Sequence, residues 1–476
     1  MILFATISHF IFVLALSVYL ISALQWYSYK LERVVFHYQR YDWHLLFFIV
    51  PIFVYYLSGD FFWIYLYILY LPTLFLWYKK LDKKLIFTNR VKRFFLFLIL
   101  STIFQDTLCL AYDKCQNFGV ILPIFVSILI SFLFEKILFN GYKNSAKKKL
   151  DKVKNLKIIA ITASYGKTSI KNFLYQILSK NYYSYKTPRS VNTLAGIIKD
   201  INENLRDDIE IYIVEAGARL RGDIDKIARF LNHHYAIVGV IGEQHIEYFK
   251  TLENIRNTKM ELLNSKRLKK AIVHKSAYVK PDEKVEVFGD EILKVESSLD
   301  GIKFIAKIDE KEYEFSAPIL GEFNAINILG AILIAKEFMP MEEIVKAVGL
   351  LEGVEHRLQK IEANGKIIID DSYNGNLEGM MSSYDLVSEF NGRKILVTPG
   401  IVESSVEANI ELAQKIDEVF DLVIISGKVN LKTLDEHIVR TQKIILKDKN
   451  DLQNVLQKHT KSGDLILFSN DAPSYM

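Results

Sequence analysis

The chain has 476 residues, enough for three ordinary domains, and 13% of them are aromatic, a high share for a soluble protein. The formal net charge is only +5, and the basic residues cluster beside apolar segments. The charge therefore indicates membrane topology and argues against the broad basic surface of a nucleic-acid-binding protein. The two cysteines, Cys109 and Cys115, are too few for a disulfide framework or a structural zinc site.

Residues 1–145 are predicted to form a membrane domain with about five transmembrane helices. The first apolar stretch has no Asp, Glu, Lys or Arg and is long enough to cross a bilayer as a helix. A cleaved signal peptide would need a basic start and a small-residue cleavage site, and neither is evident. Only Gly59 and Asp60 separate the second and third stretches, for which a buried soluble helix pair is the alternative. The five stretches lie at about 2–24, 43–58, 61–78, 94–112 and 118–139.

The basic residues predict the orientation of these spans, because lysine and arginine stay on the cytoplasmic side during insertion. Clusters follow the first, third and fifth stretches and begin at Lys30, Lys79 and Lys143, whereas the intervening turns hold only Lys114. We expect a multi-pass membrane protein with its N-terminus outside and its C-terminal portion in the cytoplasm. Asp106, in the fourth stretch, is either functional or a hydrated or protonated structural group.

A strand, a glycine-containing turn and a helix are predicted from about residue 155. LKIIAITA is continuously apolar, as expected of a strand buried on both faces, and IKNFLYQILSK has a helical pattern. Between them lies Gly166-Lys167-Thr168, which is typical of a phosphate-binding loop. Backbone N–H groups, the lysine charge and the threonine hydroxyl would bind phosphate and Mg²⁺. Ile161 stands where the full motif has its leading glycine, so a chance match is the alternative.

Two more polar side chains are predicted at the same sheet edge. The strand IYIV runs directly into Glu215, and the strand YAIVGVIG is followed by His245. Ligands of open parallel sheets bind beyond the carboxyl ends of the strands, where a carboxylate can hold Mg²⁺. His245 is either a metal ligand or a capping residue, and taken alone such a histidine is more often structural than catalytic. Lys259 follows fourteen residues later on a predicted helix, and taken alone it is interpreted as an exposed lysine.

The order of these motifs resembles the Mur ligase family, which comprises ATP-dependent amide ligases of peptidoglycan synthesis. The chain has Gly-Lys-Thr, then Val-Glu-Ala-Gly-Ala, then His-Ile-Glu, and then a lysine shortly before Glu-Leu-Leu. The family's loop reads roughly T-G-S-x-G-K-T, and TASYGKT matches it with alanine in place of the first glycine. The resemblance implies that the whole loop binds ATP: Ala163, Ser164, Tyr165, Gly166, Lys167, Thr168 and Ser169.

Further matches imply residues that bind the substrate. TPRSVNTLAGI resembles the substrate-facing segment of the family branch that adds D-alanyl-D-alanine. The signature IIIDDSYNGN places two more residues at a domain junction, next to the substrate. The implied substrate-binding residues are Thr187, Ser190, Asn192, Thr193, Tyr373 and Asn374.

Three matches imply further contacts with ATP. LGEFNAINILGAILIA implies an adenine contact by Asn324, with Phe323 in place of the common histidine. EHRLQ implies that Arg357 reaches a phosphate group, and Asp371 of the last signature is implied at the nucleotide.

The resemblance implies ligation through an acyl phosphate, with ATP and Mg²⁺ as cofactors. Lys167 would stabilise the phosphoryl oxygens, and Mg²⁺ would lie between Thr168 and Glu215. A second Mg²⁺ would be bound by His245 and by a carbamate formed on Lys259, because an unmodified lysine would repel a metal ion. Lys167, Glu215, His245 and Lys259 are thus the implied catalytic residues.

The expected fold is an N-terminal transmembrane helical bundle, an α/β phosphate-loop domain at 146–355 and a Rossmann-like α/β domain at 356–476. Residues 284–316 are expected to form short antiparallel strands added to the central domain. Five apolar runs after residue 365 alternate with helical stretches and are expected to be the strands of the last domain.

The expected reaction joins D-alanyl-D-alanine to a UDP-linked muramoyl tripeptide. The membrane domain stands where soluble members of the family have a small UDP-binding domain, so a lipid-linked substrate is an alternative. Expected partners are the lipid bilayer and other membrane-associated cell-wall enzymes, and no nucleic acid. Two other readings stay open: a membrane-bound amide ligase with another acceptor, such as a poly-γ-glutamate synthetase, and a catalytically silent membrane scaffold, which Ala163 and Phe323 favour.

Overall fold

The helices of the N-terminal part coincide with the apolar stretches of the sequence. The structure, a computed structural model, describes residues 2–27, 29, 31–36, 41–81, 83–112, 119–189, 191–243, 249–373, 375–401, 404–446 and 448–470. The chain divides into two units, Met1–Lys143 and Asn144–Met476. The helices of the first part are α1 (Ile2–Trp26), α2 (Leu31–Phe36), α3 (Tyr41–Leu57), α4 (Gly59–Lys79), α5 (Asn89–Tyr112) and α6 (Ile121–Lys152).

Within the described part of the chain, four helices are long and apolar enough to cross a membrane by length and composition. They are α1, α4, α5 and α6. The remaining predicted span forms α3, which is apolar but shorter. Its role as a fifth span therefore stays a prediction, as does the orientation of the bundle.

The carboxyl group of Asp106 links two of these helices. Asp106 lies on α5 and is buried, and its Oδ2 is 3.1 Å from Nδ1 of His9 on α1. The other ring nitrogen of His9 is 3.3 Å from the carbonyl oxygen of Gly119. Because buried polar groups are costly unless they are hydrogen-bonded, the contact with His9 offsets part of the cost of burying this carboxyl group, whose Oδ1 has no hydrogen-bond partner among the described residues.

A six-stranded parallel sheet forms the centre of the second unit, with the order β2-β3-β1-β4-β5-β6. Strand β1 is buried and pairs with β3 on one side and β4 on the other, so the ends of these three strands lie side by side. The strands are β1 (Lys157–Thr162), β2 (Ser184–Lys186), β3 (Ile211–Glu215), β4 (Tyr235–Val238), β5 (Lys270–His274) and β6 (Val285–Phe288).

Helices cover this sheet, and a small antiparallel sheet adjoins it. Helix α7 (Lys167–Leu178) packs closely with α11 (Asn324–Ala335), whose side chains are almost all buried. The three-stranded antiparallel sheet consists of β7 (Ile292–Ser298), β8 (Gly301–Ile308) and β9 (Lys311–Ala317). The expectation for 284–316 was wrong for its first residues, because β6 pairs in parallel with β5 and extends the large sheet. The other helices are α8 (Leu194–Asn204), α9 (Asp223–Leu231), α10 (Leu252–Met260) and α12 (Met341–Val348).

The predicted second α/β layer is confirmed. Its six-stranded sheet has the order β10-β11-β15-β12-β13-β14, and all strands are parallel except β10. The strands are β10 (Gln359–Ala363), β11 (Lys366–Asp371), β12 (Lys394–Thr398), β13 (Leu422–Ile425), β14 (Gln442–Ile445) and β15 (Leu465–Ser469). The helices are α13 (Leu377–Ser388), α14 (Val406–Val419), α15 (Leu431–His437) and α16 (Leu452–His459).

Candidate active site

The turn between β1 and α7 requires glycine at position 166. Gly166 has a φ of 79°, a left-handed conformation that residues with a Cβ atom rarely adopt. A Cβ atom here would also lie 2.1 Å from Oδ1 of Asn327, on helix α11. The helix therefore approaches the loop backbone at the one residue that has no side chain.

Ala163 fits the position where the family's loop has glycine. It is fully buried, and its φ is not in the left-handed region, so the backbone there does not require glycine. Its methyl group faces Gly239, just after β4, where an added Cβ would lie 3.0 Å from the Cβ of Ala163. The next residue, Ser164, donates its hydroxyl to the carbonyl of Gly242 at 3.0 Å, which ties the loop to the segment after β4.

The ammonium group of Lys167 lies over the loop. Its Nζ donates to the carbonyl oxygens of Ala163 at 2.8 Å and of Ser164 at 2.9 Å. Burial lowers the pKa of Lys167 to about 8, Glu215 acts in the opposite direction, and Arg357 lowers the pKa further. The charges of Glu215 and Arg357 thus both act on the ammonium group of Lys167.

Glu215 is the buried acceptor at the centre of the site. Its Oε2 accepts from the hydroxyl of Thr168 at 3.0 Å and from Nζ of Lys171 at 3.1 Å, and its Oε1 accepts from the amide of Asn192 at 3.1 Å. Burial raises the pKa of Glu215, but Lys171, Lys167 and these hydrogen bonds outweigh burial and hold the pKa below its ordinary value. Glu215 is therefore a carboxylate at neutral pH.

The predicted substrate segment contacts the same carboxylate. Thr187 is fully buried, and its hydroxyl oxygen accepts a hydrogen bond of 3.2 Å from the backbone N–H of Glu215. Asn192 donates to the side chain of Glu215, whereas the Thr193 hydroxyl caps α8 by accepting from Gly196 N–H. The groups of Thr187 and Thr193 that were expected to face a substrate are thus used within the protein, and a direct contact of these residues with the substrate stays a prediction.

Lys259 is buried on α10. Burial lowers its pKa well below the ordinary value, the charge of Lys167 lowers it further, and Glu215 acts in the opposite direction. The sequence alone favoured an exposed surface lysine, so its burial is a finding of the structure. His245, Ser190 and Asn374 lie outside the described residues, and the predictions made for them stay predictions.

The second α/β layer brings three more predicted residues to the site. A guanidinium N–H of Arg357 donates to the carbonyl oxygen of Tyr373 at 2.5 Å, and its Cζ lies 5.2 Å from the centre of the Tyr373 ring. Asp371 ends strand β11. Burial raises the pKa of Asp371 to about 7, although the charge of Arg357 acts in the opposite direction. The carboxylate of Glu215, at the end of β3, raises the pKa of Arg357. Charged residues from both α/β parts therefore influence one another at this site.

The backbone around Arg357 is strained. His356 and Leu358 have φ angles of 61° and 52°, which are uncommon for residues with a side chain. The ring of His356 is 2.6 Å from Oδ2 of Asp370, and Leu358 is buried, so both neighbours are fixed by their side chains. The two neighbours therefore restrict the backbone conformation at Arg357.

The sequence analysis missed two residues of the site, Lys171 and Asn327. Lys171 is four residues after Lys167, on the same face of α7, and it is a single charge within an apolar pattern. Asn327 donates to Oδ1 of Asn324 at 3.0 Å, while Asn324 donates to the carbonyl of Leu320 at 2.8 Å. The signal available in the sequence was a polar residue on the otherwise apolar face of each helix. The amide of Asn324, expected at the adenine, is thus bonded within the protein.

The oxygen atoms of Thr168 and Glu215 fit Mg²⁺. Magnesium prefers hard oxygen ligands, keeps several waters and binds through one or two protein oxygens together with phosphate. Among the described residues, no group of three or more His, Cys, Asp or Glu side chains could hold a metal ion. A site shared with a nucleotide, which would contribute phosphate oxygens, matches the two donors Thr168 and Glu215.

Residues 161–335 match the family model of the Mur ligase middle domain. The matched range includes Lys167, Thr168, Glu215 and Lys259, and also Asn324 and Asn327.

A curated relative matches the chain over more residues than the middle-domain model does. The UDP-N-acetylmuramoyl-tripeptide–D-alanyl-D-alanine ligase of Borreliella burgdorferi is 30% identical over 302 residues, which cover 59% of this chain and 64% of the relative. The match thus spans slightly less than two thirds of the length of that relative.

Solved structures show the Mur ligase fold. MurF of Acinetobacter baumannii is similar with a TM-score of 0.63 and 23% identity, covering 70% of this chain and 78% of that one. MurF of Thermotoga maritima, solved in complex with ADP, has a TM-score of 0.58 and 22% identity, covering 70% and 80%. The two α/β layers therefore have the Mur ligase fold.

Proposed function

We propose that this chain is an ATP-dependent, ADP-forming amide ligase that adds D-alanyl-D-alanine to UDP-N-acetylmuramoyl-tripeptide. The observation that carries the proposal is the convergence of Lys167, Thr168 and Glu215 at the edge of the central sheet, with Arg357 in the same field. The Borreliella relative carries this reaction in its name, and the MurF of Thermotoga maritima was solved with ADP, which supports the choice of acceptor and nucleotide.

The reaction needs the tripeptide carboxylate to acquire a leaving group. A carboxylate oxygen would attack the γ-phosphorus of ATP, and the bond from that phosphorus to the ADP oxygen would break. The amine nitrogen of D-alanyl-D-alanine would then attack the acyl carbon, inorganic phosphate would leave and the amine would lose a proton. Two anions must meet in the first step, so positive charge has to be fixed in place beforehand.

Lys167 and Arg357 would supply that charge, because both lie near Glu215 in a buried environment. Mg²⁺, held by the oxygens of Thr168 and Glu215, would neutralise phosphate oxygens when it is bound. Asp371, at the end of β11, would accept a hydrogen bond from the nucleotide, and Tyr373 and Asn374 would lie next to the substrate. Thr187, Ser190, Asn192 and Thr193 would shape the tripeptide side.

Lys259 is proposed as the carrier of a carbamate. The neutral amine is the form that reacts with CO₂, and the reaction releases one proton and leaves an anionic ligand. Burial and the charge of Lys167 both favour the neutral amine of Lys259 by lowering its pKa. With His245, this group would bind a second Mg²⁺. The support for carbamate formation is thus the buried, low-pKa amine of Lys259.

The apolar helices support a location in the bacterial cytoplasmic membrane, with the ligase part in the cytoplasm. We infer that the lipid bilayer and membrane-associated cell-wall enzymes are partners, and that UDP is held by the α/β layers in place of the usual N-terminal domain.

The deciding experiment is phosphate release by the full chain in detergent, with UDP-N-acetylmuramoyl-tripeptide, D-alanyl-D-alanine, ATP and Mg²⁺. Lys167→Ala and Glu215→Ala are each expected to abolish release, whereas Lys432→Ala, an exposed lysine on α15, should leave it unchanged. ADP release stimulated by glutamate and not by D-alanyl-D-alanine would favour a poly-γ-glutamate type of ligase. A folded protein without Mg²⁺-dependent ATP binding would favour the silent scaffold.

A further inference from the structure

Lys171 is a buried cation that no step of the proposed reaction uses. It lies on α7, one helical turn after Lys167, and only 1% of its side chain is exposed. Its Nζ donates to Oε2 of Glu215 at 3.1 Å and to the carbonyl oxygen of Arg189 at 2.5 Å. A buried ammonium group is tolerated only when it is paired, and both partners of Lys171 are informative.

The first partner is the oxygen that the proposed cation site would use. Oε2 of Glu215 also accepts the hydroxyl of Thr168, while Oε1 is taken by Asn192. An ammonium group and a divalent cation on one carboxylate oxygen would repel each other strongly in a buried site. A cation bound between Thr168 and Glu215 would therefore weaken or break the contact of Lys171 with Oε2.

The second partner, Arg189, lies in the described part of the substrate segment, residues 187–189 and 191–193. Arg189 has a φ of 42°, an uncommon backbone conformation for a residue with a side chain, and Lys171 bonds its carbonyl oxygen. The segment also meets Glu215 through Thr187 and Asn192 on either side of Arg189. Arg189 lies in a turn that the N–H of Val191 closes by donating to the carbonyl of Pro188 at 3.0 Å, and Lys171 is the charged group bonded to this turn.

We propose that Lys171 is a positioning residue that couples the occupancy of the Thr168–Glu215 cation site to the conformation of the substrate segment. Lys171 bridges Glu215 and Arg189 and contributes to the turn at Arg189. When a divalent cation binds, Lys171 leaves Oε2, its hold on Arg189 loosens, and the segment relaxes into the form that binds the tripeptide. This inference rests on the proposed function for the identity of the substrate, but not for the coupling itself.

Hydrogen exchange on the full chain in detergent tests the coupling without turnover. The peptide that covers 187–193 is followed with ADP and EDTA, and with ADP and Mg²⁺. We expect its amides to exchange at least tenfold faster with Mg²⁺ in the unchanged protein. In Lys171→Met, exchange should be fast under both conditions. Lys186→Met is the matched control, because Lys186 is a nearby half-buried lysine bonded to Asn172 and not to Glu215, and it should behave as the parent.

Binding of UDP-N-acetylmuramoyl-tripeptide measures the same coupling as a ratio of affinities. With Mg²⁺ and a non-hydrolysable ATP analogue, the parent should bind the tripeptide at least fivefold more tightly than without Mg²⁺. Lys171→Met should bind equally tightly with and without Mg²⁺, and Lys171→Arg, which keeps the charge and the two donors, should retain most of the ratio.

Each outcome decides one proposal. If Mg²⁺ and ADP bind but exchange of 187–193 in the parent does not change, or if Lys171→Met responds like the parent, the coupling is overturned and the ligase function is untouched. If the segment responds but neither the tripeptide nor D-alanyl-D-alanine supports ADP release, the coupling stands and the function is overturned. If Lys171→Met does not fold, hydrogen exchange of 187–193 in the unchanged protein decides the coupling alone. If Mg²⁺ and ADP do not bind, the coupling and the ligase function are both overturned.

Discussion

Oδ1 of Asn327 occupies the space that a Cβ atom on Gly166 would need, with 2.1 Å between the two positions. Gly166 also has a φ of 79°. Gly166→Ala should therefore force the loop away from α11 and strain its backbone. We expect at least a tenfold loss of ADP affinity, measured by calorimetry on the full chain in detergent.

The variant Asn327→Ala separates the two causes of that loss. It removes the overlap but leaves the backbone conformation of Gly166 unchanged, so the double variant should recover part of the affinity and not all of it. Full recovery would mean that the left-handed conformation is unimportant. No loss in Gly166→Ala would contradict the placement of the loop.

Gly239→Ala should destabilise the central domain. Its new Cβ atom would lie 2.8 Å from Cδ1 of Ile170 and 3.0 Å from the Cβ of Ala163. Overpacking of this kind costs about 1–3 kcal/mol, which a lower melting temperature would reveal. Ala163→Gly in the same chain should restore part of the stability. If the double variant melts no higher than Gly239→Ala, then the methyl group of Ala163 is not what Gly239 accommodates.

Asp371 should make the stability of the ligand-free protein depend on pH. Burial raises its pKa to about 7, so between about pH 4 and pH 7 the folded protein keeps a proton that the unfolded chain has lost. Its favourable contribution is complete below about pH 4 and is lost as the pH rises through 7. Asp371→Asn should thus gain about 1–3 kcal/mol over the parent at pH 8 and little at pH 4.

Melting temperatures of both proteins across this pH range test the prediction. Asp385→Asn is a suitable control, because Asp385 lies on α13 and its carboxylate pairs with Lys415 at the surface. A difference between Asp371→Asn and the parent that is the same at every pH would show that ionisation of Asp371 is not responsible.

Thr187→Val should disturb Glu215 without touching its side chain. The change keeps the shape of Thr187 but removes the acceptor for the backbone N–H of Glu215. An unpaired buried N–H costs about 1–3 kcal/mol, and the carboxylate should lose its fixed position. We expect weaker Mg²⁺-dependent ATP binding, measured by calorimetry with and without EDTA.

Thr193→Val is the control for that experiment. It removes the cap of α8 and costs about 1 kcal/mol in stability, but Thr193 does not contact Glu215. It should therefore leave ATP binding unchanged. Equal losses in both variants would mean that general destabilisation, and not the position of Glu215, controls binding.

The end of α6 should be needed for a stable ligase fragment. Ala146, Leu150 and Val153 are buried, and Nζ of Lys149 donates to the carbonyl of Asn202 at 3.1 Å. A fragment that begins at residue 144 should be about 2–4 kcal/mol more stable than one that begins at 155, measured by urea unfolding. Equal stabilities would contradict the assignment of residues 144–153 to the second unit.

The longer fragment also tests the role of the membrane helices. If 144–476 restores growth to cells that lack the ligase as well as the full chain does, then the membrane part is not required for the reaction. We expect the full chain to restore growth better at low expression, because the helices would concentrate the enzyme at the membrane.

The strands and the site edge could be predicted from the sequence because they depend on local patterns. LKIIAITA is a continuous apolar run that leads into the phosphate loop, and Glu215 directly follows a second apolar run. The ends of these two paired strands therefore determine where the loop and Glu215 lie. The partners of these residues depend on contacts between distant segments. Asn327 meets Gly166, and Gly239 meets Ala163, only after α11 and β4 have packed against the loop.

Thr187 illustrates a second limit. A motif implies which residues lie near a substrate, but not whether a side chain faces the substrate or the protein. The Thr187 hydroxyl faces inward, to the backbone of Glu215, because β2 and β3 are neighbours in the sheet. Lys171 was missed for a related reason, since a charge on an apolar helix face is interpretable only when its buried partner is known.

The left-handed residues on either side of Arg357 have a consequence for engineering. Glycine at position 356 or 358 would relieve the backbone, but it would also remove the His356–Asp370 contact or the buried side chain of Leu358. Loss of a buried leucine costs about 2–5 kcal/mol, whereas one left-handed residue costs roughly 1–2 kcal/mol. A library selected for heat resistance should therefore keep the leucine at 358, so selection for robustness and selection for turnover should favour the same residue there.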